Sequence, residues 1–324
     1  EVTHGEVGAI EERTGFSVSG AVRLADLLTR AGFLAYDGGG CGYDPVLSGI
    51  KADGERVLLA TLAGRDGAGC GCAWAGKSVT TWGHAIPPGQ PPQHGLIVAA
   101  NGGSDYVYVP DHDRETVARL VHFLQRREES GAIFVAARDG APPGTLPLAA
   151  IRAEDPAGRS PDVIVSYSFD PDAVIGGVAG TEMEGTDSVG ERGMHGSFSP
   201  RDVHNVLVAY GPHFRRGFTD TLPTGNVDVA PTVARILGLD LAAADGRPLV
   251  EALAGGEEAS APAVEVKDVD STVATGLRME LPTNPSGADI DAARTTYRVH
   301  LQTTVLRFGS RSFTYFDFAT AVRE

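Results

Sequence analysis

The chain has 324 residues, of which 42% are hydrophobic and 21% charged, an ordinary balance for one large α/β domain or two smaller ones. Acidic residues exceed basic ones by 42 to 27, a formal charge of −15, so the chain as a whole has no attraction to nucleic acid or anionic lipid. No apolar run is long enough to cross a bilayer as a helix; neither a nucleic acid nor a membrane is expected as a partner.

The chain opens Glu1-Val-Thr-His-Gly5, without the basic start and apolar centre of a secretory signal. With Glu1 rather than Met in first place, the expectation is that the natural N-terminus lies upstream. Residues 20–32 put Val22, Leu24, Leu27 and Leu28 on one stripe, predicting an amphipathic helix stopped by Gly32. Arg56 to Leu62 reads as a strand. Residues 63–93 are rich in Gly and Pro with little periodicity, and read as a long loop or insertion. Cys41, Cys70 and Cys72 cannot all pair within one chain, and Cys70-Gly-Cys72 lacks zinc-knuckle spacing. They read as loop cysteines, with a bridge from Cys41 to either of the others left open.

Inside that insertion, Gly71 to Ser78 fits the phosphate-loop pattern, in which Lys77 would reach the outer phosphates of a nucleotide and Ser78 a Mg²⁺ ion. Such a loop needs a strand directly before it and a helix directly after. The glycine-rich gap before it and the run from Val79 to Pro88 supply neither. Among 42 glycines a chance match is the preferred account, and a nucleotide-binding protein is a third reading of the chain.

Further on, Leu96–Ala100 is a short apolar run typical of a buried strand, broken by Asn101-Gly-Gly-Ser104. Asp113 can cap a helix over 113–129, in which Val117, Leu120, Val121 and Leu124 keep helical spacing and Gly131 marks the end. Ala132–Val135 and Asp162–Ser166 read as further strands. This alternation predicts an α/β fold with a mostly parallel sheet. Val203–Tyr210 reads as another strand, closed by Gly211-Pro212. Asp228 then caps a helix to Leu237, with Pro231 in its first turn and Gly238 as its stop. Residues 254–290 read as a surface excursion, and 296–318 as two or three antiparallel closing strands. There is no internal repeat.

Two His-Gly pairs carry the candidate chemistry: His4-Gly5, and His195-Gly196 within Gly193-Met-His-Gly-Ser-Phe-Ser-Pro200. Imidazole is a good ligand for zinc and similar ions, and the following Gly permits a tight turn. A lone loop histidine is more often solvated than ligating. Asp228 is read as a cap rather than a ligand, His204 as at most a support to a ligand, and Arg215-Arg216 as a solvated turn.

The stretch from Gly193 to Leu239 resembles the C-terminal signature of the alkaline phosphatase superfamily, in particular its phosphodiesterase/nucleotide pyrophosphatase branch. There a Gly-x-His-Gly loop precedes a strand ending in Gly-Pro, followed by a polar turn and a helix opening Asp-x-x-Pro-Thr. Asp245-Gly-Arg-Pro-Leu249 is similar to that family's Asp-Gly-x-x-Leu segment, and Asn101-Gly-Gly-Ser-Asp105 to a middle segment of bacterial members. The resemblance implies a three-layer α/β/α domain, of which residues 1–324 are the C-terminal portion. It also implies hydrolysis of a phosphate mono- or diester with a bound divalent metal, usually Zn, on a small-molecule substrate. His4 and His195 match two of the family's metal ligands; no residue matches its nucleophile. Thr3 stands where the family has an Asp ligand, and the nucleophile and several Asp ligands precede this point in the family. The expectation is therefore a chain that lacks the nucleophile half of the site and needs a missing N-terminal half or a second copy. The rival is a non-catalytic partial domain that binds a partner or a single metal. Relatives are often exported, which leans the compartment weakly towards periplasmic or secreted.

Overall fold

The computed structural model describes residues 24–37, 48–50, 56–58, 73–74, 77–78, 95–136, 138, 140–175, 178–182, 195–241, 243–256, 262–279 and 295–324. They fall into two compact units. The first holds the chain up to Asp202 together with Asp270–His300 and Ala319–Glu324; the second is Val203–Val269 with Leu301–Phe318.

In the first unit, helix α1 (Leu24–Arg30) leads through Gly32, at φ +82°, into β1 (Leu34–Asp37). Two short antiparallel pairs follow: β2 (Ser48–Ile50) with β3 (Arg56–Leu58), and β4 (Ala73–Trp74) with β5 (Lys77–Ser78). The rest of the expected insertion, and all three cysteines, lie outside the described residues. Strands β6 (Gly95–Ala100) and β7 (Ser104–Tyr108) pair across the Asn101–Gly103 turn. Helix α2 (Arg114–Gln125) then leads to β8 (Ser130–Val135), β9 (Leu146–Pro147) and β10 (Val163–Tyr167). These form one six-stranded sheet in the order β1-β6-β7-β10-β8-β9. A separate hairpin joins β11 (Phe169–Ile175) to β12 (Val178–Glu182).

The α/β character is as expected, but the sheet is mixed rather than mostly parallel. Only β1 with β6 and β8 with β9 run parallel; β6–β7, β7–β10 and β10–β8 are antiparallel. For β6 and β7 the cause is the three-residue turn at Asn101–Gly103, too short for the crossover that a parallel neighbour requires.

Burial explains why these segments are strands. Every residue of β8 and β10 is buried, and Leu96, Val98 and Val107 join them in the core. The 3.6 periodicity of α2 buries Leu120, Val121 and Leu124, and the Asp113 carboxylate accepts from the Thr116 amide at 2.9 Å. The helix stops at Gln125, before Gly131. That glycine lies inside β8, where a Cβ would come within 2.6 Å of the Ser166 carbonyl oxygen. It serves close strand approach, not helix termination.

The second unit departs most from expectation. Val203–Tyr210 is not a strand: Pro200–Val203 makes a single helical turn (α3), and Val206, Val208 and Tyr210 are 86%, 81% and 100% exposed. Among the described residues, nothing hydrogen-bonds to the main chain of 206–210. Helix α4 (Val229–Ile236) forms where expected. At its end Gly238 takes φ +69° and the Leu239 amide donates to the Ala234 carbonyl, the glycine stop that the sequence announces. Its Val229, Val233 and Leu237 nevertheless face solvent.

Residues 254–290 contain a strand that periodicity missed, β13 (Ala263–Asp270). It lies at the edge of a three-stranded sheet with β14 (Arg298–Phe308) and β15 (Arg311–Val322). All its residues are exposed, and its charges pair across the strand, Glu265 with Arg307 at 2.8 Å and Asp270 with Arg298 at 2.6 Å. A charged edge of this kind discourages further strand addition.

Candidate functional site

In the first unit, β6 and β10 run in the same direction, so their carboxyl ends lie at one end of the sheet. The loop that begins at His195 closes that end. The Gly103 amide donates to the His195 carbonyl at 2.8 Å, and the Phe198 amide to the Ser166 hydroxyl at 2.9 Å. Within the loop, the Ser197 amide donates to the Asp202 carboxylate at 2.8 Å and the Ser199 amide to the Ser197 hydroxyl at 3.1 Å. The Phe198 ring packs on Phe134, centroids 5.1 Å apart.

The glycines of the two motifs are explained by this contact. A Cβ on Gly103 would lie 2.5 Å from the Ser197 main chain. One on Gly196, at φ +94°, would lie 2.4 Å from the Asn101 carbonyl oxygen. Asn101-Gly-Gly and His195-Gly-Ser are therefore one structural element, two backbones in a contact that any side chain would block. The His195 residue is exposed.

Beneath the loop, Asp105 is buried and accepts from the Tyr167 phenol at 2.7 Å. Burial, with the Asp105 charge beside it, holds the Tyr167 phenol well above its usual range. Sequence reasoning passed over this pair, because a buried tyrosine in an apolar run looks like core.

His4 and Thr3 lie outside the described residues. Among the described residues no group of three or more His, Cys, Asp or Glu side chains is placed to hold a metal ion. A bound zinc needs three or four ligands, so His195 with its described neighbours does not make a metal site. Lys77–Ser78 pairs as a short strand with Ala73–Trp74, whereas a phosphate loop sets its Lys-Ser at the start of a helix; the residues on either side lie outside the described ones.

In the second unit, Asp228 is fully buried, and its carboxylate accepts from the amides of Gly225 at 3.0 Å and Arg247 at 2.8 Å and from the Tyr315 phenol at 3.0 Å. Its side chain makes no cap bond to α4, so the expected N-cap is instead a buried cross-link. Thr232 adds a second tie: its hydroxyl donates to the Asp228 carbonyl at 2.6 Å and accepts from the Leu249 amide at 2.9 Å. Gly246 leaves no room for a side chain, since a Cβ would sit 2.1 Å from the Val227 carbonyl oxygen. The Arg247 guanidinium, itself buried, reaches Glu251 at 2.7 Å and the Pro223 carbonyl at 3.2 Å. Burial and the neighbouring Asp228 charge push the Tyr315 phenol up.

Other candidates have structural partners. Arg215 donates to the carbonyls of Leu253 and Gly256, both at 3.2 Å, and His204 lies 3.5 Å from Asp317. No protein-family model matches the chain, and neither a curated protein nor a solved structure is significantly similar to it.

Proposed function

We propose that this chain is part of a metal-dependent phosphoester hydrolase of the alkaline phosphatase kind, acting on a small-molecule mono- or diester once further residues complete its site. One observation carries the reading. Asp228-x-x-Pro231-Thr232 and Asp245-Gly246-Arg247-Pro-Leu249, the two most specific motif segments, are bonded to each other through the Asp228 carboxylate, the Thr232 hydroxyl and the Gly246 contact. Two segments matched separately in sequence thus behave as one unit. The packing of Asn101-Gly-Gly against His195-Gly-Ser, at the carboxyl ends of β6 and β10, adds a second such pair.

In this reading His195 is one ligand of a zinc-type ion and His4 another, and the remaining ligands and the nucleophile come from residues beyond these. The ion would polarise a phosphoryl oxygen when bound. The exposed, unpaired run Val206–Tyr210 fits a domain whose sheet is completed by strands supplied from elsewhere, giving the full three-layer arrangement. A non-catalytic partial domain remains the second reading, favoured by the absence of a ligand cluster among the described residues.

The test is metal content by elemental analysis of the purified chain after exposure to zinc and dialysis, beside His195→Ala. Zinc retained by the wild type and lost in the variant supports the hydrolase reading. A folded chain that retains none in either form favours the non-catalytic reading.

A further inference from the structure

The opposite end of the same sheet carries a different set of groups. Here β7 ends at Tyr108 and β10 begins just after Asp162. Asp162 is buried, and its main chain ties the neighbouring strands together. Its amide donates to the Val107 carbonyl and its carbonyl accepts from the Ala136 amide, both at 2.9 Å. One carboxylate oxygen accepts from the Val109 amide at 2.8 Å; the other lies 2.8 Å from His112 Nδ1. A carboxylate can only accept, so His112 Nδ1 holds the proton and Nε2 of the neutral ring is left as an acceptor.

His112 takes φ +49°, the left-handed region that few non-glycine residues enter. Its side chain is 44% exposed. It lines a cleft of about 520 Å³ together with Arg114, Glu115, Val135, Arg138 and Pro142, a volume in the range of small-molecule sites. Arg138 Nε stands 3.9 Å from the Asp162 carboxylate, beyond hydrogen-bond reach, so the guanidinium fork has donors to spare for a ligand.

A purely structural role for Asp162 needs only the Val109 amide. It does not need a histidine at a positive φ, nor an arginine lining the same open cleft. We propose that this cleft binds a small organic oxyanion that also carries a hydroxyl: its charged end meets the Arg138 guanidinium, and the hydroxyl donates to His112 Nε2. Asp162 acts as a positioning residue that fixes the imidazole tautomer. Glu115, also lining the cleft, disfavours polyanions and selects a ligand with a single anionic end. The inference does not depend on the hydrolase reading, because the cleft and the His195 loop lie at opposite ends of the sheet.

The experiment follows the His112 ring signals by NMR in the full chain at constant ionic strength, titrating inorganic phosphate, acetate and, as control, chloride. The expected result is a saturable shift with phosphate or acetate and none with chloride. A response to phosphate alone assigns a phosphate ester, a response to acetate alone a carboxylate, and either supports the site. Arg138→Gln, in an exposed turn, should weaken binding by about tenfold or more through loss of a charge-assisted contact, and Glu115→Gln should strengthen it. No saturable shift with either anion, an equal response to chloride, or binding unchanged in Arg138→Gln overturns the proposal.

Discussion

Val163-Ile-Val-Ser-Tyr167 and Val206-Leu-Val-Ala-Tyr210 are nearly the same word in sequence, yet every residue of the first is buried, while Val206, Val208 and Tyr210 of the second are almost wholly exposed. The first run has β7 on one side and β8 on the other. The second has no main-chain partner among the described residues. β propensity is a capacity to fit between neighbours, not a conformation that a segment holds alone. The two units differ in the same way. The first is held by an apolar core between strands and helices. In the second a small cluster of Leu306, Phe313 and Tyr315 is joined by the polar lock around Asp228.

If that contrast is right, the largest single effect belongs to the lock. Asp228→Ala leaves three donors, two of them buried, without their acceptor, at about 1–3 kcal/mol for each buried one. It should unfold the second unit separately, so that a single urea transition followed by fluorescence becomes two. One undivided transition at the wild-type midpoint would show that the lock is dispensable. A direct comparison of the two strand words comes next. Ile164→Ala should cost about 2–5 kcal/mol through the cavity it leaves, whereas Val208→Ala should change stability by no more than about 0.5 kcal/mol. If the Val208 variant proves as costly as the Ile164 one, the run from 206 to 210 is buried in solution and the contrast fails.

Gly196→Ala probes the joint between the two glycine motifs. It places a Cβ against the Asn101 carbonyl at a positive φ, and about 1–3 kcal/mol is expected from strain alone. Hydrogen exchange should show loosening at the amides of Gly103 and Phe198, while α2 stays protected. The smallest effect is alkaline. The phenols of Tyr167 and Tyr297 in the first unit and Tyr315 in the second are all pushed above the ordinary value of 10, mainly by burial. A raised folded-state pKa contributes stability that is complete below the unfolded value and lost as pH climbs past it. Melting temperature should therefore be level up to about pH 10 and fall above it, and Tyr297→Phe should flatten the fall. A decline unaltered in that variant would assign the alkaline loss elsewhere.

Much of the local structure was legible. Asp113 with the Leu120, Val121 and Leu124 spacing specified a helix, and Gly32 and Gly238 announced helix ends, because caps and 3.6 periodicity depend on neighbours a few residues away. The buried strands at 95–100, 130–135 and 163–167 were readable as apolar runs. Strand direction was not, since a three-residue turn and a long crossover look alike until the pairing is known. The exposed strand at 263–270 was missed because its charges read as loop, although they are the pairs that hold a solvent-facing edge.

The candidate sites divide along the same line. His195 and its glycine could be picked out as a possible ligand, and the motif around Asp228 could be singled out, but Asp228 was given the wrong job. A cap contacts residues in its own turn, whereas Asp228, beyond the nearby Gly225 amide, bonds Arg247 and Tyr315, 19 and 87 positions away in the chain. The Asp162–His112 pair, 50 positions apart, left no trace at all in the pattern of residues.

The amino-acid order by itself determined what acts over short range: helix caps and stops, apolar runs able to become strands, the acidic balance, and histidines placed in glycine-rich turns. Tertiary structure alone decided which apolar runs found neighbours, which way the strands ran, and which carboxylates became buried cross-links. The physical reason is that hydrogen-bond pairing and burial are relations between distant segments. A segment such as 206–210 carries the capacity for them but not the partner.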